Sequence, residues 1–189
     1  TGPAGPTGPT GPAGADSTVA GPTGPTGPGA AATRSSTVSI ANTETRVIGA
    51  TVAANTLTAG TVLRFVAHGL ETNSSAGTSI WRVRIGTTTL SGNIPAASSH
   101  AMGSTSRTNC PFMVEVAVTI LTAGAGGTAL GQVAIVLSST TALALSTGFV
   151  TAAVAVDTTA NKECELTVIS GHANISWNVH AAYFQIIKP

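Results

Sequence analysis

Thr1-Gly2-Pro3-Ala4-Gly5-Pro6-Thr7-Gly8-Pro9-Thr10-Gly11-Pro12-Ala13-Gly14 opens the chain, and Gly21-Pro22-Thr23-Gly24-Pro25-Thr26-Gly27-Pro28 resumes its rhythm. Glycine stands at every third position: Gly2, Gly5, Gly8, Gly11 and Gly14, then Gly21, Gly24 and Gly27. Proline follows each of these except Gly14. A flexible linker needs no strict spacing. A period of three is needed where three left-handed strands crowd one axis and only glycine fits. The period therefore demands three parallel chains, and the rest of the sequence is read as one third of a homotrimer.

This is the Gly-X-Y period of a collagen triple helix, assigned to residues 1–30. Proline fills X, while threonine, alanine or aspartate fills Y, so no Y proline is present to be hydroxylated. At about 3 Å per residue the stalk spans less than roughly 90 Å. The period breaks at residues 15–20: Ser17 and Ala20 occupy glycine positions, and Gly21 restarts one residue out of frame. The rod is expected to loosen between Asp16 and Val19. A stalk this short is expected to be marginal alone, with the downstream domain holding its chains in register.

Seven of the ten prolines lie in the first 28 residues, which separates the stalk from residues 31–189. That remainder suits one domain. Charged residues are 8% of the chain, aromatics 4%, and the formal net charge is +1. Arg82 and Arg84 are the nearest approach to a basic cluster, so a nucleic-acid partner is not expected. No apolar run approaches the roughly 18 residues that cross a bilayer, and membrane insertion is not expected either. So few charges suit a chain that covers much of its surface with copies of itself. The chain begins in mid-repeat without methionine and reads as a fragment or processed product.

Past Ala32 the pattern is one of short β segments with turn punctuation. Leu63, Phe65 and Ala67 alternate with Arg64, Val66 and His68. Trp81, Val83 and Ile85 are expected to face in, with Arg82 and Arg84 out. Val114, Val116, Val118 and Ile120 form another apolar row, and Ala134 to Leu137 is apolar on both faces. Val150 to Val156 is a further candidate strand. In the last strand, Trp177, Val179, Ala181 and Tyr183 are set against Asn178, His180, Ala182 and Phe184. Helical patterning is nearly absent. The fold class is all-β: a jelly-roll-like sandwich of eight to ten strands after a collagen stalk, assembled as a trimer.

Collagen stalk before β head resembles the trimeric complement-type and tumour-necrosis-factor-like jelly rolls. The Gly-Pro-Thr repeats are similar to those of bacterial and phage collagen-like proteins. The head resembles a β domain of tailed-phage virion proteins. That resemblance is carried by Ile48-Gly49-Ala50-Thr51-Val52-Ala53-Ala54-Asn55-Thr56-Leu57-Thr58-Ala59-Gly60-Thr61-Val62-Leu63-Arg64, by Trp81-Arg82-Val83-Arg84-Ile85-Gly86 with Thr89-Leu90, and by Ala181-Ala182-Tyr183-Phe184. It implies a trimeric appendage on tail or capsid, at the virion surface, with other virion proteins and a host glycan or protein as partners. It transfers no site residue. The alternatives are a capsid decoration protein without receptor role and a spore- or cell-surface collagen-like protein of a bacterium.

Enzymatic activity is not expected. The head's acids Glu44, Glu71, Glu115, Asp157, Glu163 and Glu165 are scattered, and Glu163 and Glu165 read as a solvated pair on one strand face. No Gly-x-Ser-x-Gly elbow occurs. His68, His100, His172 and His180 suit interface or surface positions better than an ion on the trimer axis. Cys110 and Cys164 leave a disulfide and two buried thiols both open. No cysteine or histidine spacing suggests a metal, and no cofactor is expected. Arg82 and Arg84 are read as cross-strand partners of Glu115 before they are read as contacts for anionic sugars. Asn73-Ser74-Ser75 and Asn174-Ile175-Ser176 match the glycosylation pattern, by chance in a chain of this type. Ser91 to Asn109 is the longest polar stretch and is expected to be a loop. Its Ser98, His100, Met102, Ser106, Arg107 and Asn109 form the candidate contact surface, for host glycan or a neighbouring protein.

Overall fold

A computed structural model describes residues 30–34, 38–40, 43–74, 76–102, 106–138, 143–149 and 152–189. The stalk glycines and the interruption at 15–20 lie outside these residues. Every regular element described is a strand. In chain order they are β1 (Ala30–Arg34), β2 (Val38–Ile40), β3 (Thr45–Val52), β4 (Val62–Asn73), β5 (Gly77–Gly86) and β6 (Asn93–Met102). Then follow β7 (Arg107–Thr122), β8 (Thr128–Ser138), β9 (Leu143–Phe149), β10 (Val154–Ala155), β11 (Lys162–Ser170) and β12 (Ile175–Ile187).

They form two sheets. The larger runs β1-β12-β4-β7-β8-β10, with β2 also on β12 and β9 also on β8. The smaller runs β3-β11-β5-β6. Every pairing is antiparallel and the order is nested. β1 and β2 pair with β12, β3 with β11, β4 with β7, and β5 with β6. The chain thus folds as one long hairpin whose tip is the β5–β6 turn, rolled into two layers. β8, β9 and β10, inserted between β7 and β11 in the return leg, extend the β7 edge of the larger sheet.

Period-two alternation decides the core. Leu63, Phe65 and Ala67 of β4, Val114, Val116, Val118 and Ile120 of β7, and Trp81 and Val83 of β5 have no exposed surface. Phe65 stacks on Phe184 at 4.4 Å, and Trp177 meets the edges of Trp81 and Phe112 at 5.3 and 4.8 Å. Trp177 Nε1 donates to Ser79 Oγ at 3.0 Å, which satisfies the indole across the two sheets.

Three expectations change. First, β12 does not keep one alternation. Its register against β4 shifts between Val179 and Ala181. Trp177 and Val179 are buried before the shift, Ala182 and Phe184 after it, and Ala181 and Tyr183 turn outward. A β-bulge adds one residue and so exchanges the faces. Gly69 accommodates it: a Cβ there would lie 1.9 Å from the Asn178 carbonyl oxygen. Second, Ser91 to Asn109 is not a loop. Most of it is β6, paired with β5 from Gly77↔Met102 to Ile85↔Asn93, followed by the start of β7. Small residues there serve close approach rather than a turn. β6 lies against β8 and β9 of the other sheet. A Cβ on Gly131 would come within 2.9 Å of Ala96 Cβ, and one on Gly148 within 2.5 Å of the Ala97 carbonyl oxygen. Third, the strand expected over Val150 to Val156 contracts, among the described residues, to the two residues of β10.

Candidate functional site

The outer face of the smaller sheet concentrates charge. Glu44 accepts from Arg84 Nε and Nη2, both at 2.7 Å, and from Thr167 Oγ1 at 2.7 Å. Arg82 Nη1 stands 3.7 Å from the same carboxylate. The Arg84 bonds hold Glu44 below the usual carboxylate range, against its partial burial. Arg46 reaches Glu163 at 3.5 Å and Glu165 at 3.1 Å. Three arginines and three glutamates therefore neutralise one another on this face. The expected pairing of Arg82 and Arg84 with Glu115 is replaced by Glu44, while Glu115 pairs with Arg64 at 2.7 Å. Glu163 and Glu165 are not a solvated pair either. Glu165 has no exposed surface, and its Oε2 accepts the Leu90 amide at 2.7 Å.

That last bond shapes one end of the sandwich. It ties the β5–β6 turn to the sheet face. Thr88 N and Oγ1 donate to Ser91 Oγ at 3.2 and 2.9 Å, closing the turn on itself. Leu90 takes φ +57° and Gly92 φ +85°. A Cβ on Gly92 would lie 2.2 Å from the Ile85 carbonyl oxygen, so glycine is required there on two counts. Asn93 Nδ2 donates to the Ala155 carbonyl, joining the turn to β10.

Between the turn and the β10–β11 connection lies an open cleft of about 380 Å³. Its walls include Thr87, Thr88, Ser91, Asn93, Asp157 and Lys162, and Ile85, Ala155 and Val156 supply its apolar part. Lys162 is only 8% exposed. It begins the inward row of β11 that continues as Cys164, Leu166 and Val168. Its ammonium therefore emerges from the core into the cleft, as long cationic side chains do. The nearest carboxylate oxygen, Asp157 Oδ2, is 3.8 Å away, beyond hydrogen-bond reach. Asp157 Oδ1 is occupied by the Thr159 amide at 2.9 Å and hydroxyl at 2.6 Å. Those two bonds hold the Asp157 carboxyl below the usual range, so it is ionised near neutrality. Asp157 and Lys162 both line the cleft.

The opposite end holds a different polar group. Glu71 is fully buried, and neither carboxylate oxygen has a hydrogen-bond donor among the described residues. It sits between Cys110 and Trp177 in register. Burial pushes its pKa up, opposed by the nearby charge of Arg107.

The residues expected to form a contact surface are distributed over β6 and the start of β7. Ser98 is 3% exposed, its hydroxyl buried without a partner among the described residues. Ser106 and Asn109 are exposed, Asn109 at φ +55°, and its amide donates to Thr72 Oγ1 at 3.1 Å. Arg107 is half-buried near Glu71, and His100 and Met102 lie on β6. Both cysteines are free and buried, one in each sheet. Burial, with Glu163 and Glu165 adding to it, pushes the Cys164 thiol up to about 12. Asn73 is 1% exposed and closed to glycosylation in the folded chain, whereas Asn174 is exposed in the β11–β12 turn. Among the described residues no three His, Cys, Asp or Glu side chains come together as a metal site.

Sequence reasoning missed the cleft because its walls come from two segments about seventy residues apart. One signal was legible: a lysine at the head of an otherwise apolar alternating row. Comparison with known protein families, with curated proteins and with solved structures finds no match to this chain.

Proposed function

We propose that this chain is one protomer of a homotrimeric fibre: a collagen-like stalk carrying a jelly-roll head, mounted on a phage tail or capsid for adhesion to the host surface. The observation that carries the reading is the Gly-X-Y period of residues 1–30, which runs directly up to β1. Two features of the head support it. The nested pairing is the strand order of a jelly roll, the fold that the stalk-and-head arrangement implies. The outer face of the larger sheet carries Met113, Leu121 and Leu145 at 44%, 43% and 66% exposure. Exposed apolar side chains of this size suit coverage by neighbouring protomers.

Light scattering of the full chain tests the assembly: a threefold mass is expected, and a stable monomer or dimer removes the reading. Immunogold labelling of phage particles with antibody against the head tests the location. Attachment of the fluorescently labelled chain to host cells tests the role.

A further inference from the structure

We propose that the cleft between the β5–β6 turn and the β10–β11 connection is a saccharide-binding site, which grips a vicinal diol between Lys162 and Asp157. The proposal rests on the adhesion reading for its biological use. Its physical basis is separate.

Lys162 Nζ and Asp157 Oδ2 stand 3.8 Å apart, a donor and an acceptor too far from each other to hydrogen-bond directly. No other group among the described residues hydrogen-bonds the ammonium. A sugar hydroxyl is both donor and acceptor. One hydroxyl accepts from Nζ while its neighbour on the ring donates to Oδ2, so each charged group gains a hydrogen-bond partner. Asn93 Oδ1 and Thr87 Oγ1, on the same walls, take part in no bond among the described residues and are free for flanking hydroxyls. Ala155, exposed on the same wall, offers apolar surface to the ring's C–H face. A volume of about 380 Å³ lies within the small-ligand range.

The site is also held in shape before any ligand arrives. Glu165 fixes one wall through the Leu90 amide, Asn93 ties that wall to β10, and Thr159 fixes the Asp157 carboxylate. Pre-ordered walls reduce the entropic cost of binding. An inward-row lysine at 8% exposure loses hydration, and a ligand hydroxyl supplies the hydrogen-bond acceptor that Asp157, at 3.8 Å, does not.

The test is a ¹⁵N chemical-shift titration of the full chain with methyl α-mannopyranoside, methyl β-galactopyranoside and methyl β-glucuronide, together with deoxy analogues that lack one hydroxyl of the diol. Saturable shifts at Thr87, Ser91, Gly92, Asn93 and Asp157 are expected with at least one neutral sugar. Lys162→Met, which keeps the aliphatic stem, and Asp157→Asn should each weaken binding tenfold or more, with melting curves confirming the fold. The matching deoxy sugar should bind as weakly. Absence of saturable shifts with every sugar, or binding unchanged in both variants, overturns the proposal. Binding of the glucuronide alone, insensitive to Asp157→Asn, overturns the diol in favour of a carboxylate on Lys162. Host-cell attachment is scored separately. Sugar binding lost in Lys162→Met with attachment unchanged keeps the site and removes its role in adhesion.

Discussion

Two glutamates show how burial divides identical side chains. Glu71 is buried without donors and its pKa is raised; Glu44 is gripped by Arg84 and its pKa is lowered. Their effects on stability have opposite signs. Below the ordinary glutamate value of 4.5, Glu71 is protonated in folded and unfolded chains alike and contributes nothing to pH dependence. Above it the unfolded chain ionises first, so stability is lost until pH passes the raised folded value. Glu71→Gln is therefore expected to raise the melting temperature at pH 8 and leave it nearly unchanged at pH 4. Glu44 stabilises above 4.5, and that contribution is lost as pH falls through its lowered folded value. Glu44→Gln should cost roughly 1–3 kcal/mol at pH 7, the worth of hydrogen bonds to a charged group, and less in acid. Urea titrations at the two pH values check both. The buried cysteines give a third expectation: a disulfide reagent such as Ellman's should modify neither thiol in the native chain and both in denaturant.

At the scale of elements, the two places where alternation misleads are places where backbones meet closely. The β12 bulge requires Gly69 opposite the Asn178 carbonyl, and the meeting of β9 with β6 requires Gly148 opposite that of Ala97. Gly69→Ala and Gly148→Ala should each cost about 1–3 kcal/mol by overpacking against main chain that has nowhere to go. Chemical denaturation with an unchanged m-value checks this. Ser98 makes the opposite case. Its hydroxyl is buried and has no partner among the described residues, so Ser98→Ala should be neutral or stabilising, because it removes a desolvated polar group. A large loss of stability on that change would show that the hydroxyl has a partner beyond the described residues.

For the whole molecule, the expected division of labour is that the head assembles and the stalk follows. Removal of residues 31–189 should abolish the triple-helical circular dichroism of the remaining peptide near room temperature. Gly8→Ala in the full chain should weaken that signal while light scattering still reports the trimer. A headless peptide that stays triple-helical on warming would show that the stalk needs no clamp.

Periodicity alone determined the all-β character of residues 43–189, and glycine at every third position is the sequence feature on which the proposed three-chain assembly rests. The rows Leu63-Phe65-Ala67, Trp81-Val83-Ile85 and Val114 to Ile120 are legible because a half-buried strand must alternate, whatever it packs against. The tertiary structure decided the rest. Asn93 to Met102 reads as a loop in isolation, since strand propensity is weak in small polar residues. It becomes a strand because β5 supplies its hydrogen bonds and Gly131 and Gly148 allow the other sheet to close on it. The face exchange in β12 is set by its register with β4. The cleft exists only where Thr87 to Asn93 and Asp157 to Lys162 come together at one end of the sandwich. Local sequence encodes which side of a strand is apolar; which backbones come near enough to exclude a side chain, or leave a lysine facing an aspartate across open space, follows from the packing of distant segments.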